Sequence, residues 1–173
     1  GIKRMMFASS RETYGNIHLP DGQKYSEDKA HFMTCESPYT ASKIGGEALM
    51  EAYKRCYKIE TIIWRFSNVY GMYDDSVRVV PLFIRQARNG EPLKVFGGEK
   101  CLDFTYIDDI VEGVVRVLDR IPHARIGVVG LGTATMASYA RPGQEWTFFE
   151  LNPAMQRIAE DPRYFTYLRD CVQ

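Results

Sequence analysis

Tyr39 and Lys43 stand four residues apart inside S-P-Y-T-A-S-K-I-G-G-E-A-L-M-E-A-Y-K-R-C-Y, the stretch from Ser37 to Tyr57. In a helix that spacing puts a phenol and an ammonium on one face, about 6 Å apart along the axis, where both can engage one ligand. Ser9 and Ser10 end an apolar run, I-K-R-M-M-F-A-S-S. A strand ending in this way delivers hydroxyls to the carboxyl edge of a sheet, where the ligands of open α/β folds bind. The Tyr-Lys spacing is weak by itself, because Tyr25 and Lys29 repeat it in D-G-Q-K-Y-S-E-D-K, a polar run with a turn signal and no apolar periodicity. That copy reads as a solvated loop, so the neighbours of Tyr39 must decide.

The element that carries the pair is well marked. Ser37 can cap the first backbone N–H groups and Pro38 suits the first helical position. Ile44, Ala48, Leu49, Ala52, Tyr53 and Cys56 recur at three- and four-residue steps, predicting a buried stripe opposite Glu47, Glu51, Lys54, Arg55 and Lys58. Gly45 and Gly46 weaken an isolated helix by about 1 kcal/mol each, which predicts a backbone packed closely against them. Ahead of the helix lie a strand over Ile2 to Ser9 and a polar loop over Asn16 to Glu36; after it, Ile59 to Arg65 predicts a strand that closes a strand–helix–strand unit. Further on come a helix over Val79 to Asn89 ended by Gly90, short strands over Leu93 to Phe96 and Phe104 to Ile107, and a helix over Ile110 to Leu118. Asp108 or Asp109 is placed to cap that last helix, and Val111, Val114, Val115 and Leu118 to form its buried face.

The chain has 173 residues, 22 Lys plus Arg and 22 Asp plus Glu. That length allows one well-buried domain or two small ones. Balanced charge, without a basic block interleaved with aromatics, argues against nucleic acid and for a small-molecule site. Cys35, Cys56, Cys101 and Cys171 lack C-x-x-C spacing, which suits reduced thiols and no metal site. With no membrane-length apolar run and no signal-peptide pattern, the expectation is a soluble, cytoplasmic protein without a membrane partner.

Five motifs in fixed order carry a resemblance: F-A-S-S-R-E-T-Y-G, S-P-Y-T-A-S-K, R-F-S-N-V-Y-G, P-L-F-I-R-Q-A-R-N-G-E-P-L-K-V-F-G-G and L-D-F-T-Y-I-D-D-I-V-E-G-V. Together they resemble the extended short-chain dehydrogenases/reductases, and within them the NAD-dependent nucleotide-sugar epimerases and dehydratases, over roughly Gly1 to Arg120. The resemblance implies a partial Rossmann-like α/β fold, a nucleotide-sugar substrate and NAD. It makes Tyr39 the base that takes a proton from a sugar hydroxyl while hydride leaves the same carbon. A free phenol ionises only near pH 10, and the family Lys, matched by Lys43, supplies a cation that favours the phenolate and also bonds the nicotinamide ribose. Ser10 matches the hydroxyl that bonds the reacting oxygen. Phe66 and Ser67 match backbone lining the nicotinamide, Asn68 a substrate contact and Phe96 the nucleotide-base pocket. The helix pair that this family uses to dimerise implies a homodimer through the Tyr39 helix.

Departures from the family pattern refine this. Dehydratases carry Asp-Glu after the Ser or Thr, whereas Arg11 and Glu12 stand here, so Glu12 is retained as a substrate contact and epimerisation is favoured. Leu102 replaces an Arg that binds the substrate diphosphate in many members. The glycine-rich first turn and the acidic residue for the adenosine ribose belong to about a hundred residues expected before Gly1, so the fold is expected to be incomplete at that end.

After Pro122 the character changes, predicting domains over 1–121 and 122–173. A-R-I-G-V-V-G-L-G-T-A-T begins a strand, a Gly-rich turn and a helix, and the chain returns as a strand ending in Glu150. This reads as a short second βαβ nucleotide-binding start, with Gly130 and Gly132 at the ligand and Glu150 on ribose hydroxyls. It resembles S-adenosylmethionine-type methyltransferases, and spermidine-synthase-like proteins in particular, which implies that type of nucleotide. Three functions therefore stand side by side: an NAD-dependent epimerase or dehydratase, a non-catalytic remnant or dimerisation module, and a nucleotide-binding fragment of an aminopropyl or methyl transferase.

Overall fold

The computed structural model describes residues 1–16, 19, 23, 25–98, 102–120, 125–131 and 135–170. The chain forms two compact units, Gly1–Ile107 and Asp108–Gln173.

In the first unit, strand β1 (Arg4–Ser10) pairs in parallel with β2 (Glu60–Phe66), in register from Arg4 opposite Glu60 to Ser10 opposite Phe66. β1 starts two residues and ends one residue later than its apolar run suggests, and β2 runs one residue later at both ends. Helix α1 (Pro38–Tyr57) makes the crossover between them. Ser37 Oγ accepts from the Thr40 amide at 3.1 Å, and Lys58, left-handed at φ 58°, ends the helix. The loop before α1 holds two 3-10 turns, Glu27–Lys29 and Phe32–Thr34. Tyr25 is less solvated than its polar neighbours suggest, since its ring stacks on Tyr14 with centroids 4.9 Å apart.

The buried face of α1 is not the expected one. Ala48, Leu49, Ala52, Tyr53 and Cys56 are exposed, and the face turned to the sheet carries Thr40, Lys43, Gly46, Glu47 and Met50. Periodicity identifies a stripe but not its partner; here an arginine on β2 draws Glu47 inward. Gly46 does admit a close neighbour, but it is a side chain rather than backbone: a Cβ there would lie 2.2 Å from the Phe7 ring. Gly45 faces open space.

Strand β3 (Val69–Tyr70) and helix α2 (Val79–Arg88) follow, and β4 (Thr105–Tyr106) pairs in parallel with β3. Leu93 to Phe96 forms no strand: Leu93, Val95 and Phe96 are exposed, and no strand among the described residues pairs with them. Helix α3 (Ile107–Asp119), which from Asp108 on belongs to the second unit, takes Asp108 and Asp109 into its first turn instead of using either as a cap, and it buries Leu118.

The second unit pairs β5 (Arg125–Val129) in parallel with β6 (Glu145–Phe149). The link between them, expected to be helical, holds a 3-10 turn, Thr135–Tyr139. Asn152 caps α4 (Pro153–Glu160) by accepting from the Ala154 amide at 2.9 Å, and α5 (Tyr167–Asp170) follows. Leu131 and Ala159 form the small core here, with Phe148, Tyr167 and Leu168 against it. Every strand pair among the described residues is parallel, the arrangement expected of an α/β sheet.

Candidate active site

The carboxyl end of β1 turns directly into a 3-10 turn, Arg11–Tyr14. Ser10 caps that turn: its Oγ accepts from the Glu12 amide at 3.2 Å, while its carbonyl accepts from Thr13 Oγ1 at 2.8 Å. Ser10 and Thr13 are buried, so this corner is fixed by hydrogen bonds rather than by apolar packing.

Helix α1 meets that corner at two points. Lys43 Nζ donates to the Ala8 carbonyl at 2.8 Å, two residues before Ser10, and lies 5.5 Å from the centroid of the Tyr39 ring and 5.4 Å from that of Phe7. Thr40 Oγ1 donates to Glu12 Oε2 at 3.4 Å, two residues after Ser10. The segment that holds Ser10 is thereby tied to the first two turns of α1 on either side of it. Tyr39 is half exposed, so its ring stands open to solvent beside Lys43. Tyr39 and Lys43 are brought together as their spacing predicts, with Ser10 on the adjoining strand end.

Beneath them lies an ion pair that the motifs did not single out. Arg65 of β2 grips Glu47 of α1 with a two-pronged contact, Nε to Oε1 at 2.9 Å and Nη2 to Oε2 at 2.7 Å. Ser9 Oγ donates to the same Oε1 at 2.5 Å. Arg65 Nη1 donates to Tyr14 Oη at 3.1 Å and to the Glu27 carbonyl at 2.7 Å, and the guanidinium stacks over the Tyr14 ring. Burial pushes the Glu47 carboxyl up, but the bonds from Arg65 and Ser9 outweigh it and hold the group below its ordinary range. The bond to Glu47 likewise raises Arg65 above the usual arginine value against its own desolvation. The pair was legible in one respect: Glu47 lies one turn beyond Lys43 on the same helical face.

Phe66 ends β2 opposite Ser10 and stacks on Trp64 with centroids 6.3 Å apart. Ser67 Oγ and Asn68 Nδ2 both donate to the Asp103 carbonyl, at 2.9 and 2.8 Å. Asn68 also lines a cleft of about 210 Å³ together with Tyr70, Asp74, Arg78, Pro81 and Phe104. Phe96, expected in a base pocket, is 86% exposed and lines no part of that cleft.

In the second unit Gly130 has φ +94°, in the left-handed region that glycine adopts readily. Glu150, expected on a ribose, instead accepts from the Leu131 amide at 2.9 Å and the Asn152 amide at 2.8 Å, bracing the turn after β5. Gly132 lies outside the described residues.

Residues 1–130 match the NAD dependent epimerase/dehydratase family. An uncharacterized UDP-glucose epimerase of Bacillus subtilis is 36% identical, over 79% of this chain and 42% of its own length. A dTDP-glucose 4,6-dehydratase of Mycobacterium tuberculosis is 29% identical, over 98% of this chain and 48% of its own length. Among solved structures, a mutant UDP-glucuronic acid 4-epimerase from Bacillus cereus, in complex with UDP-4-deoxy-4-fluoro-glucuronic acid and NAD, superimposes with a TM-score of 0.57 at 30% identity, covering 67% of this chain and 35% of that one. The chain thus spans less than half the length of these relatives. The resemblance of the C-terminal segment to spermidine synthases and S-adenosylmethionine-type enzymes gains no support: the family match runs through β5, and the Mycobacterium alignment takes in the segment after residue 122. A strand followed by a Gly-rich turn is common to many nucleotide-binding folds, which is why the shorter motif misleads.

Proposed function

Since the chain belongs to the NAD-dependent epimerase/dehydratase family, we propose that it supplies the proton-transfer residues of a nucleotide-sugar epimerase, with Tyr39, Lys43 and Ser10 in the roles that their motifs imply. The observation that carries this is the tie of Lys43 to the Ala8 carbonyl, which sets the ammonium beside the Tyr39 ring at the strand end holding Ser10. Tyr39 takes the proton of a sugar hydroxyl, and Ser10 bonds the same oxygen. An ammonium has three donors, and the Ala8 carbonyl takes one of those on Lys43, so a ribose diol fits the others. Bound NAD would supply a hydride acceptor and donor for the sugar carbon, with Lys43 at its ribose. The Ser67 hydroxyl is engaged by Asp103, so its share in lining the nicotinamide is through backbone, as with Phe66.

Asn68 and the cleft beside it suit one part of a nucleotide sugar, and Glu12 reaches the site from the turn after Ser10. A cleft of about 210 Å³ is smaller than a typical site for a whole ligand of this size. Arg11, standing where dehydratases place an acid, favours epimerisation over loss of water. The exposed stripe of α1 supports a second copy of the chain as partner, with Leu49, Tyr53 and Tyr57 at the contact.

The test titrates NAD against the full chain with thermal shift as readout, then follows interconversion of UDP-sugars. NAD is expected to raise the Tm, and Lys43→Met to weaken that response. Tyr39→Phe is expected to leave NAD binding in place and to slow interconversion by about 10²–10⁴-fold, the usual contribution of a positioned acid–base group. A Tm that does not respond to NAD, or turnover that survives Tyr39→Phe, defeats the proposal.

A further inference from the structure

Arg4, Arg11, Lys43, Arg65 and Arg85 are the described basic residues that are half-buried rather than exposed. Arg4 pairs with Glu60, Lys43 with the Ala8 carbonyl, Arg65 with Glu47, and Arg85 with the carbonyls of Asp75 and Ser76. Arg11 alone has no acceptor, ion pair or aromatic face among the described residues. A guanidinium stays charged at any ordinary pH, and partial removal from water without an acceptor is unfavourable. Glu12, its neighbour in the chain, is engaged by Thr40, and Glu47 at the same strand end by Arg65 and Ser9.

The position of Arg11 is as informative as its lack of a partner. It follows Ser10 directly, at the first residue of the 3-10 turn on the carboxyl end of β1. Ligands of open parallel sheets bind at that end. A guanidinium presents a planar fork that matches the paired oxygens of a carboxylate or phosphate better than it matches a sugar hydroxyl. We infer that Arg11 is a specificity-determining residue that receives an oxyanion of the substrate. Adjacency to Ser10 sets it at the reacting end of the sugar, which makes a ring carboxylate, that of a nucleoside diphosphate uronic acid, the first source; the diphosphate is the second. The inference rests on the epimerase reading for the identity of the ligand, and on the local geometry alone for the charge.

Calorimetric titration of the full chain, Arg11→Gln and Arg11→Lys with UDP-glucuronate and UDP-glucose separates these cases. The expected result is that the unsubstituted chain prefers UDP-glucuronate by roughly tenfold or more, that Arg11→Gln erases the preference without weakening UDP-glucose, and that Arg11→Lys keeps part of it. Equal weakening of both ligands by Arg11→Gln also upholds the oxyanion and assigns it to the diphosphate. Unchanged affinities in Arg11→Gln overturn the inference and leave the epimerase reading standing. If the unsubstituted chain binds neither sugar nucleotide, the epimerase reading fails, and the charge is tested by itself: glucuronate and inorganic phosphate are titrated while the Arg11 Nε–H resonance, identified by its loss in Arg11→Gln, is followed by NMR. A shifted resonance upholds an oxyanion receptor, and an unmoved one overturns it.

Discussion

Glu47 and Arg65 show how a charge can be built into the floor of a site. Their side chains are 11% and 16% exposed, each prong of the contact is satisfied, and Ser9 and Tyr14 take up further valences. Breaking one partner of such a nearly buried pair costs about 3–5 kcal/mol, because the survivor is left charged and unmatched. Glu47→Gln is therefore expected to lower the unfolding free energy by about that amount at neutral pH, measured by urea titration, with part recovered in the double replacement Glu47→Gln/Arg65→Met. The pair also sets an acid limit. A carboxylate whose folded value is depressed stabilises fully above its unfolded value, here near 4.5, and that contribution fades as pH falls through the lower folded value. Stability should decline across that window in the unsubstituted chain and more weakly in Glu47→Gln; identical acid profiles would show that the pair carries no such linkage. Of the candidate site residues, Tyr39 and Lys43 were legible as a spacing and Ser10 as a strand end. The polar ties that position them were not, because Ala8 contributes only its carbonyl and every residue has one.

At the scale of the element, α1 was legible in its bounds and illegible in its orientation. Ser37, Pro38 and the apolar steps predict the helix from Pro38 to Tyr57 because caps act locally. Which face turns inward depends on Arg65 and Phe7, which belong to other strands, and no local pattern contains them. The same distinction separates Gly45 from Gly46, identical in sequence terms. Gly45→Ala meets nothing within 4 Å and should stabilise by about 0.5–1 kcal/mol through helix propensity. Gly46→Ala sets a methyl 2.2 Å from the Phe7 ring and should destabilise by about 1–3 kcal/mol. Thermal or chemical unfolding of the two variants checks both, and equal shifts would mean that Phe7 yields freely. The expected strand at Leu93 to Phe96 failed for a related reason: a β-rich run becomes a strand only where a partner edge is offered.

For the whole molecule, the open stripe of α1 is the feature that needs a counterpart. Leu49 is 62% exposed, Tyr53 43% and Tyr57 68%, along one side of a 20-residue helix. Sedimentation of the chain is expected to show a dimer, and Leu49→Glu with Tyr53→Glu to shift it to monomer without loss of helical signal. A monomer at all concentrations would remove the second copy from the proposal. The α/β class and the parallel order were legible from alternating strand and helix runs, because such runs repeat along the chain. The C-terminal unit was misread because its Gly-rich turn is shared by many folds, and the family match through β5 and the Mycobacterium alignment beyond it point to a single family.

The parallel pairing of β1 with β2 also constrains the order of folding. Arg4 and Glu60, partners at the first rung, are 56 residues apart in the chain. Closing a loop of that length exacts its entropy before any rung forms, whereas a helix forms locally within about a microsecond. Helix α1 can therefore exist early, carrying Tyr39 and Lys43 on its face, while Ala8, Ser10 and Arg65 reach it only when the loop closes. A partly folded chain would hold the phenol and the ammonium in register with each other but without the strand that gives the ammonium its anchor. The pairing rung, rather than the helix, is the step that turns a spacing into a site.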